Sequence, residues 1–331
     1  MTSREVKTTR ANLGYFLLGV FVTLSVVAIF SLGSKLFFTW QQGATPLVTG
    51  ERDLDKLIQT DVDLFWTFQP NLKNVEVNEV LADDKNTPST YTYSTNELGF
   101  RSPPLFPAGS RFRILAIGDS TTFGQHVADH ETWPAQLQQL LDPEAKQIEV
   151  INAGVIGASS FQGLAFLQTR GLALQPDLVI ATFGFGDWSA AHLSDRDRAR
   201  AYQRHGVLDM LEVAFLGEDP QEVSANLVPR ATPGEYLDNM LAIANLCEKN
   251  AIPVFLINWP KPYDLKDPEN KYGSLIMEAC KRSNAHSFEL SPFFRNATEP
   301  VFIDRVHATP AGCRIVAESL AAYFKERHWL P

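Results

Sequence analysis

The sequence predicts an α/β domain on a parallel, doubly wound sheet, preceded by one transmembrane helix and a small β-rich segment. Three observations carry that prediction. Leu13 to Leu32 is an almost wholly apolar run in a chain of 331 residues. Polar stretches of β-type composition fill the region from Asp61 to Pro107. From Phe112 onward, short apolar runs alternate with stretches of helical periodicity. That alternation is the pattern of βαβ units joined by right-handed crossovers.

The first segment is read as a membrane element. Arg4, Lys7 and Arg10 precede an uncharged run from Ala11 to Ser34. About 20 apolar residues at about 1.5 Å rise per residue span the hydrocarbon core. The basic flank predicts a cytoplasmic N-terminus, with the body outside the cytoplasmic (inner) membrane. A cleaved signal peptide, with Ser31-Leu-Gly33 as its site, is the competing reading. The run exceeds the usual signal-peptide core of about 7–15 residues, which favours an uncleaved single-pass anchor. Residues 1–38 are therefore assigned to a cytoplasmic tip and transmembrane helix.

Residues 39–110 form a stalk and a β-rich preface. Thr39 to Asp61 has weak periodicity and reads as the stalk. Val62–Phe68, Val75–Val80 and Tyr91–Ser94 read as short strands between Asn- and Asp-rich turns. Residues 111–331 form the main domain. Its expected strands are Phe112–Ile117, Gln147–Asn152, Asp177–Phe183, Ile252–Asn258 and Ser287–Leu290. Its expected helices are Trp133–Leu141, Ser160–Leu172, Gly234–Asn250 and Gly273–Asn284. A last helix opens with Thr309 as N-cap and Pro310 at its first position. Ser189 to Pro233 interrupts this rhythm. It carries Arg196, Arg198, Arg200 and Arg204 among acids, then an apolar stretch from Val207 to Leu216. A connection this long after a strand's carboxyl end is a lid or a surface helical insertion.

Composition narrows the partners. A net charge of -9 argues against nucleic acid, which needs a basic footprint. The three cysteines, Cys247, Cys280 and Cys313, fall in expected helices. Their odd count and wide spacing give neither a disulfide framework nor a metal-ligand pattern. No metal or organic cofactor is expected.

The chemistry concentrates in Arg113 to Gly124. An apolar run ends in Gly118-Asp119-Ser120, a sharp exit with a hydroxyl at its tip. Ligands of open parallel sheets sit just beyond the carboxyl ends of the strands. A serine nucleophile needs a base to take its proton and a carboxylate to fix the tautomer of that base. Asp304 and His307 stand three apart just before the last helix, close enough for the acid to reach Nδ1. The other six histidines, at 126, 130, 192, 205, 286 and 328, lack an acid at that spacing.

From Phe112 to Phe324 the chain resembles the SGNH/GDSL hydrolases. Gly118-Asp119-Ser120 resembles their nucleophile block, Ile151-Asn-Ala-Gly-Val-Ile-Gly157 the second block, and Asp304-Arg-Val-His307 the acid–base block. Asn96-Glu-Leu-Gly-Phe-Arg101 recurs in membrane-anchored members. The resemblance implies a three-layer, flavodoxin-like α/β/α sandwich. It also implies ester hydrolysis through an acyl-serine, with Ser120 as nucleophile, His307 as base and Asp304 orienting it. The N–H groups of Ser120 and Gly157 would form the oxyanion hole. A Gly-x-Ser-x-Gly elbow is absent, so an ordinary α/β-hydrolase fits less well.

One block departs. The third is Gly-x-Asn-Asp in the family, and this chain has Gly184-Phe-Gly186-Asp187. The side-chain donor expected from position 186 is missing, a loss of about 100- to 1,000-fold where such a donor has been removed. Asn152, Ser189 or the Trp188 indole could replace it. Gly186 is also expected to leave a void able to admit a bulkier acyl or sugar group. Asp119 and Asp187 read as residues that bond local N–H groups to hold their turns. Trp188 and Trp259, each after a strand, read as packing or as walls of the site.

The expected activity is that of a serine esterase or acylhydrolase. Its substrate would be a small-molecule, lipid or glycan ester, such as a short O-acyl group on an envelope glycan. Two rivals stand beside it: an O-acyltransferase of envelope polysaccharide, and a catalytically weak membrane-anchored binding protein.

Overall fold

A computed structural model describes residues 52–81, 84–191, 193–204, 227–260 and 271–331. The expected transmembrane run lies outside these residues, as do 39–51 of the stalk and 205–226 of the insertion. Among the described residues no helix is long and apolar enough to cross a membrane. Nearly all of them belong to one unit, 47–201 with 219–331; the other, 1–46 with 202–218, falls almost wholly outside them.

Two antiparallel hairpins make the preface. β1 (Ile58–Asp61) pairs with β2 (Phe65–Phe68), Ile58 opposite Phe68 and Asp61 opposite Phe65. β3 (Val75–Leu81) pairs with β4 (Asp84–Tyr93), Val75 opposite Tyr93. β1 corrects the stalk reading for residues 52–61. Leu57 is fully buried, and the ladder β1 makes with β2 is invisible to local periodicity. The expected strand at Val62 starts only at Phe65. The reason is the Asp61 carboxylate, which accepts the N–H groups of Asp63 and Leu64 at 3.0 Å and turns the chain there. Leu57, Phe68, Val77 and Tyr93 close a small core against Phe123 and Ile156 of the main domain.

The main sheet has five parallel strands: β5 (Phe112–Gly118), β6 (Ile148–Gly154), β7 (Leu178–Thr182), β10 (Val254–Asn258) and β11 (His286–Glu289). Between them in sequence, β8 (Ala190–Ala191) pairs antiparallel with β9 (Val228–Pro229) and ties together the two ends of the insertion. The order across the sheet is β6-β5-β7-β10-β11. That is the 2-1-3-4-5 order of flavodoxin-like sheets, whose ligand crevice opens between the first and third strands, here β5 and β7.

Both faces of the sheet are covered, so its strands read as continuous apolar runs. Ile114, Ala116, Leu178, Ile180, Phe255 and Ile257 face one side. Leu115, Ile117, Val179, Ala181, Val254 and Leu256 face the other. The helices are α1 (Ser120–Phe123), α2 (Trp133–Leu141), α3 (Ser160–Phe166), α4 (Phe185–Trp188), α5 (Asp195–Arg204), α6 (Pro233–Lys249), α7 (Lys271–Lys281), α8 (Ser291–Arg295) and α9 (Pro310–Glu326). α2 and α9 supply Trp133, Leu137, Val316 and Leu320 to the first face. α3, α6 and α7 supply Phe166, Met240, Ile243 and Ile276 to the second. The three-layer α/β/α arrangement is the one the sequence predicts. α3 is shorter than expected: past Phe166 the chain widens into a π-helical turn over Leu167–Gly171. The three cysteines are free.

Candidate active site

Ser120 stands at the crevice because β5 ends one residue before Asp119 and α1 begins at once. Asp119 caps that helix: its Oδ1 accepts the N–H of Thr121 at 2.9 Å and its hydroxyl at 2.7 Å. Burial pushes the Asp119 carboxyl up, against these bonds to Thr121. Its geometry is that of a residue holding its own turn. The far end of α1 is held by Arg101. Its Nη1 donates to the carbonyls of Phe123 (3.1 Å) and Gly124 (2.5 Å), and its Nη2 to Val127 (2.7 Å). The guanidinium also lies 4.7 Å from the ring centres of both Tyr93 and Phe123. The segment ending in Arg101 therefore clamps the short helix that begins at Ser120.

Asp304 and His307 come from a loop closed by the bridge Phe302–Ala308 and by the Ile303 N–H bonding to the His307 carbonyl at 2.8 Å. The Asp304 Oδ1 accepts the N–H groups of Val306 (2.8 Å) and His307 (2.7 Å), which winds the loop tightly. Its Oδ2 accepts from His307 Nδ1 at 2.7 Å, and His307 Nε2 lies 2.8 Å from Ser120 Oγ. A carboxylate acceptor places the ring proton on Nδ1 and leaves Nε2 to accept from the serine. Ser120 and His307 are 4% and 8% exposed, so this hydrogen-bonded set lies out of bulk water. Burial works to raise the Asp304 carboxyl, but the hydrogen bond and charge of His307 outweigh it and hold it well below the usual range. The Trp259 indole N–H donates to the Val306 carbonyl at 2.9 Å, so Trp259 braces this loop.

A second polar pair packs beside these residues, His126 of the main domain and Glu79 of the preface. The His126 ring meets that of His307 edge-on, centres 4.8 Å apart. Its Nε2 is 3.9 Å from Asp304 Oδ2, and its Nδ1 is 3.4 Å from Glu79 Oε2. Glu79 accepts from Tyr93 (2.8 Å) and Gln125 (2.5 Å). Burial first, then the charge of His307, pulls His126 down to about 3, so it stays neutral at ordinary pH. His126, Asp304 and His307 offer ligand atoms within 4.8 Å of one another. Two tetrahedral ligands at about 2.0 Å from one ion stand about 3.3 Å apart. The 2.7 Å between Asp304 and His307 is instead the spacing of a hydrogen bond.

On the opposite side, β6 carries Gly154 in register with Gly118, and the Val155 N–H donates to the Gly118 carbonyl at 3.0 Å. The turn that follows brings Gly157 in at φ +72°, a left-handed conformation that favours glycine. Gly186 does not leave the expected void. A Cβ there would stand 1.9 Å from the Ala158 carbonyl oxygen and 3.1 Å from that of Gly157. The turn after β6 fills that space, so an asparagine side chain has no room at this point. Two proposed stand-in donors are engaged elsewhere. The Asn152 amide donates to the Phe123 carbonyl (3.3 Å), and the Ser189 hydroxyl to that of Phe185 (3.0 Å). Trp188 packs edge-on against Phe185 and is 42% exposed. Asp187 does not hold its own turn: it accepts the Ser160 N–H at 2.9 Å and hydroxyl at 2.5 Å, joining α4 to α3. Burial pushes its carboxyl up to about 7.

Sequence reasoning missed the Glu79–His126 pair, which carries no local signal. It singled out the segment ending in Arg101 without a role; an arginine closing a polar turn ahead of Ser120 was the available clue.

A model of the GDSL-like lipase/acylhydrolase family matches residues 116–315, more than half of the chain. A GDSL esterase/lipase of Arabidopsis thaliana is 23% identical over 240 residues, 67% of this chain and 82% of that protein. An arylesterase of Vibrio mimicus is 31% identical over 75 residues, 23% of this chain and 38% of that protein. Among solved structures, the psychrotrophic esterase EstA from Pseudoalteromonas sp. is 16% identical with a TM-score of 0.45, covering 66% of this chain and 98% of that one.

Proposed function

The chain belongs to the GDSL-like lipase/acylhydrolase family and is a carboxylic ester hydrolase, and on that premise we propose that it cleaves short O-acyl esters through an acyl-serine on Ser120. The observation that carries the reading is the buried relay of 2.8 Å from Ser120 Oγ to His307 Nε2 and 2.7 Å from His307 Nδ1 to Asp304. Ser120 Oγ attacks the ester carbonyl as His307 takes its proton. Asp304 stabilises the imidazolium that forms. The N–H groups of Ser120 and Gly157 receive the oxyanion. His307 then protonates the departing alcohol, and water attacks the acyl-serine by the same route in reverse.

The turn after β6 fills the space that a side chain on residue 186 would need, so in this reading the oxyanion donors are backbone N–H groups. The basic flank and apolar run of residues 4–34 support an anchor in the cytoplasmic membrane, with the hydrolase outside it. An acylated envelope glycan or a lipid is the substrate class within reach of such an enzyme. The test is a screen of the full chain in detergent against p-nitrophenyl esters of increasing chain length and acetylated glycans. Turnover should be highest on acetyl and propionyl esters and absent in Ser120→Ala. A preference for long chains, or an unchanged rate in Ser120→Ala, would sink the reading.

A further inference from the structure

We propose that Trp66, on β2 of the preface, is a positioning residue that aims the Gly157 N–H into the oxyanion hole; the inference rests on the acyl-serine reading above. A trans peptide is planar, so its C=O and N–H point in opposite directions. The Ile156–Gly157 peptide presents the Ile156 carbonyl on one side and the Gly157 N–H on the other. The Trp66 indole N–H donates to that carbonyl at 3.1 Å, in a buried bond. The Gly157 N–H has no acceptor among the described residues. One end of the peptide is thus tied down and the other is free to bind.

Such a tie is needed at this position. Gly157 sits at φ +72°, and glycine passes between backbone conformations more readily than any other residue. Left alone, this peptide could rotate and withdraw its donor. The next carbonyl is held as well: Arg230 Nη1 donates to the oxygen of Gly157. The Arg230 guanidinium is fixed by the buried Asp195 at 2.6 Å and lies 4.8 Å from the centre of the Trp66 ring. Trp66 also packs beside Gly157 itself, 3.6 Å from where a Cβ would stand. The turn carrying the donor is therefore gripped by Trp66 from the preface and by Arg230 from the far end of the insertion. The hydrolase domain does not complete its own site; the β-rich preface finishes it.

The variant that separates positioning from packing is Trp66→Phe in the full chain, which keeps a buried ring and deletes the N–H. Removing an oxyanion donor outright lowers turnover about 100- to 1,000-fold, so loosening one should lower kcat about 10- to 100-fold. KM should stay within about twofold, because the ground-state ester gains little from the hole. The affinity for a trifluoromethyl ketone, whose hemiketal oxyanion occupies the hole, should fall in step with kcat/KM. Labelling of Ser120 by a fluorophosphonate should still run to completion, though more slowly. A kcat within twofold of the parent, or a loss confined to KM, would overturn the role of Trp66 alone. A parent chain that neither labels nor hydrolyses would overturn the acyl-serine reading and this inference with it. If Trp66→Phe does not fold, benzothienylalanine at position 66 gives the same shape without the donor, and the same outcomes decide.

Discussion

Installing the family's asparagine at position 186 should damage this protein rather than mend it. A Cβ on residue 186 would lie 1.9 Å from the Ala158 oxygen and 2.7 Å from its carbonyl carbon, where ordinary contacts begin at 3.4 Å. Relief requires about 1.5 Å of movement, and the atoms that must move belong to the turn carrying Gly157. Overpacking costs about 1–3 kcal/mol, and a clash with backbone belongs at the upper end. At about 2–4 °C per kcal/mol for a domain of this size, Gly186→Asn should lower Tm by about 6–12 °C. A shift of about 1 Å in the Gly157 N–H should lower kcat about 100-fold. Gly186→Ala, which adds only the Cβ, should show most of both losses. Scanning fluorimetry and p-nitrophenyl acetate turnover provide the two readouts. A Gly186→Asn variant with parental Tm and a raised kcat would refute the reasoning, because it would show that space for a side-chain donor exists.

Three further outcomes follow from the geometry. Asp304→Asn turns an acceptor of the His307 Nδ1–H into an amide that favours the wrong tautomer; kcat should fall about 10⁴-fold, and a loss under tenfold would speak against the relay. Asp187, pushed up to about 7 by burial, holds a proton in the native state that the unfolded chain releases. Its contribution to stability is full below the unfolded value near 4 and is lost as pH rises through 7. Urea midpoints at pH 5 and pH 7.5 should therefore differ more in the parent than in Asp187→Asn, and equal differences would contradict this. Arg113→Met strips the partner from Glu149, 2.6 Å away and 7% exposed at its side chain, and should lower unfolding free energy by about 3–5 kcal/mol.

The layered sheet was legible because each strand is buried on both faces and each helix carries its own periodicity. β5 and α2 begin where their apolar patterns begin, at Phe112 and Trp133. The Asp304–His307 pair was legible for a local reason, since three residues on one turn bring Asp304 to Nδ1. What stayed hidden depends on partners far along the chain. Trp66 meets Ile156 and Glu79 meets Gln125 and His126 only after the preface docks on the turn after β6 and on α1. β1 has no amphipathic pattern of its own, and its place follows from β2. Gly186 illustrates the limit on substitutions: a glycine suggests free volume, but here the Ala158 backbone occupies it.

Activation of Ser120 as a nucleophile by His307 is the step on which ester cleavage depends. The most direct test is reaction of the full chain in detergent with a fluorophosphonate, followed by mass mapping of the adduct. One adduct per chain is expected on Ser120, absent in Ser120→Ala and formed far more slowly in His307→Ala. No adduct on the parent chain, or labelling at the same rate in His307→Ala, would contradict it.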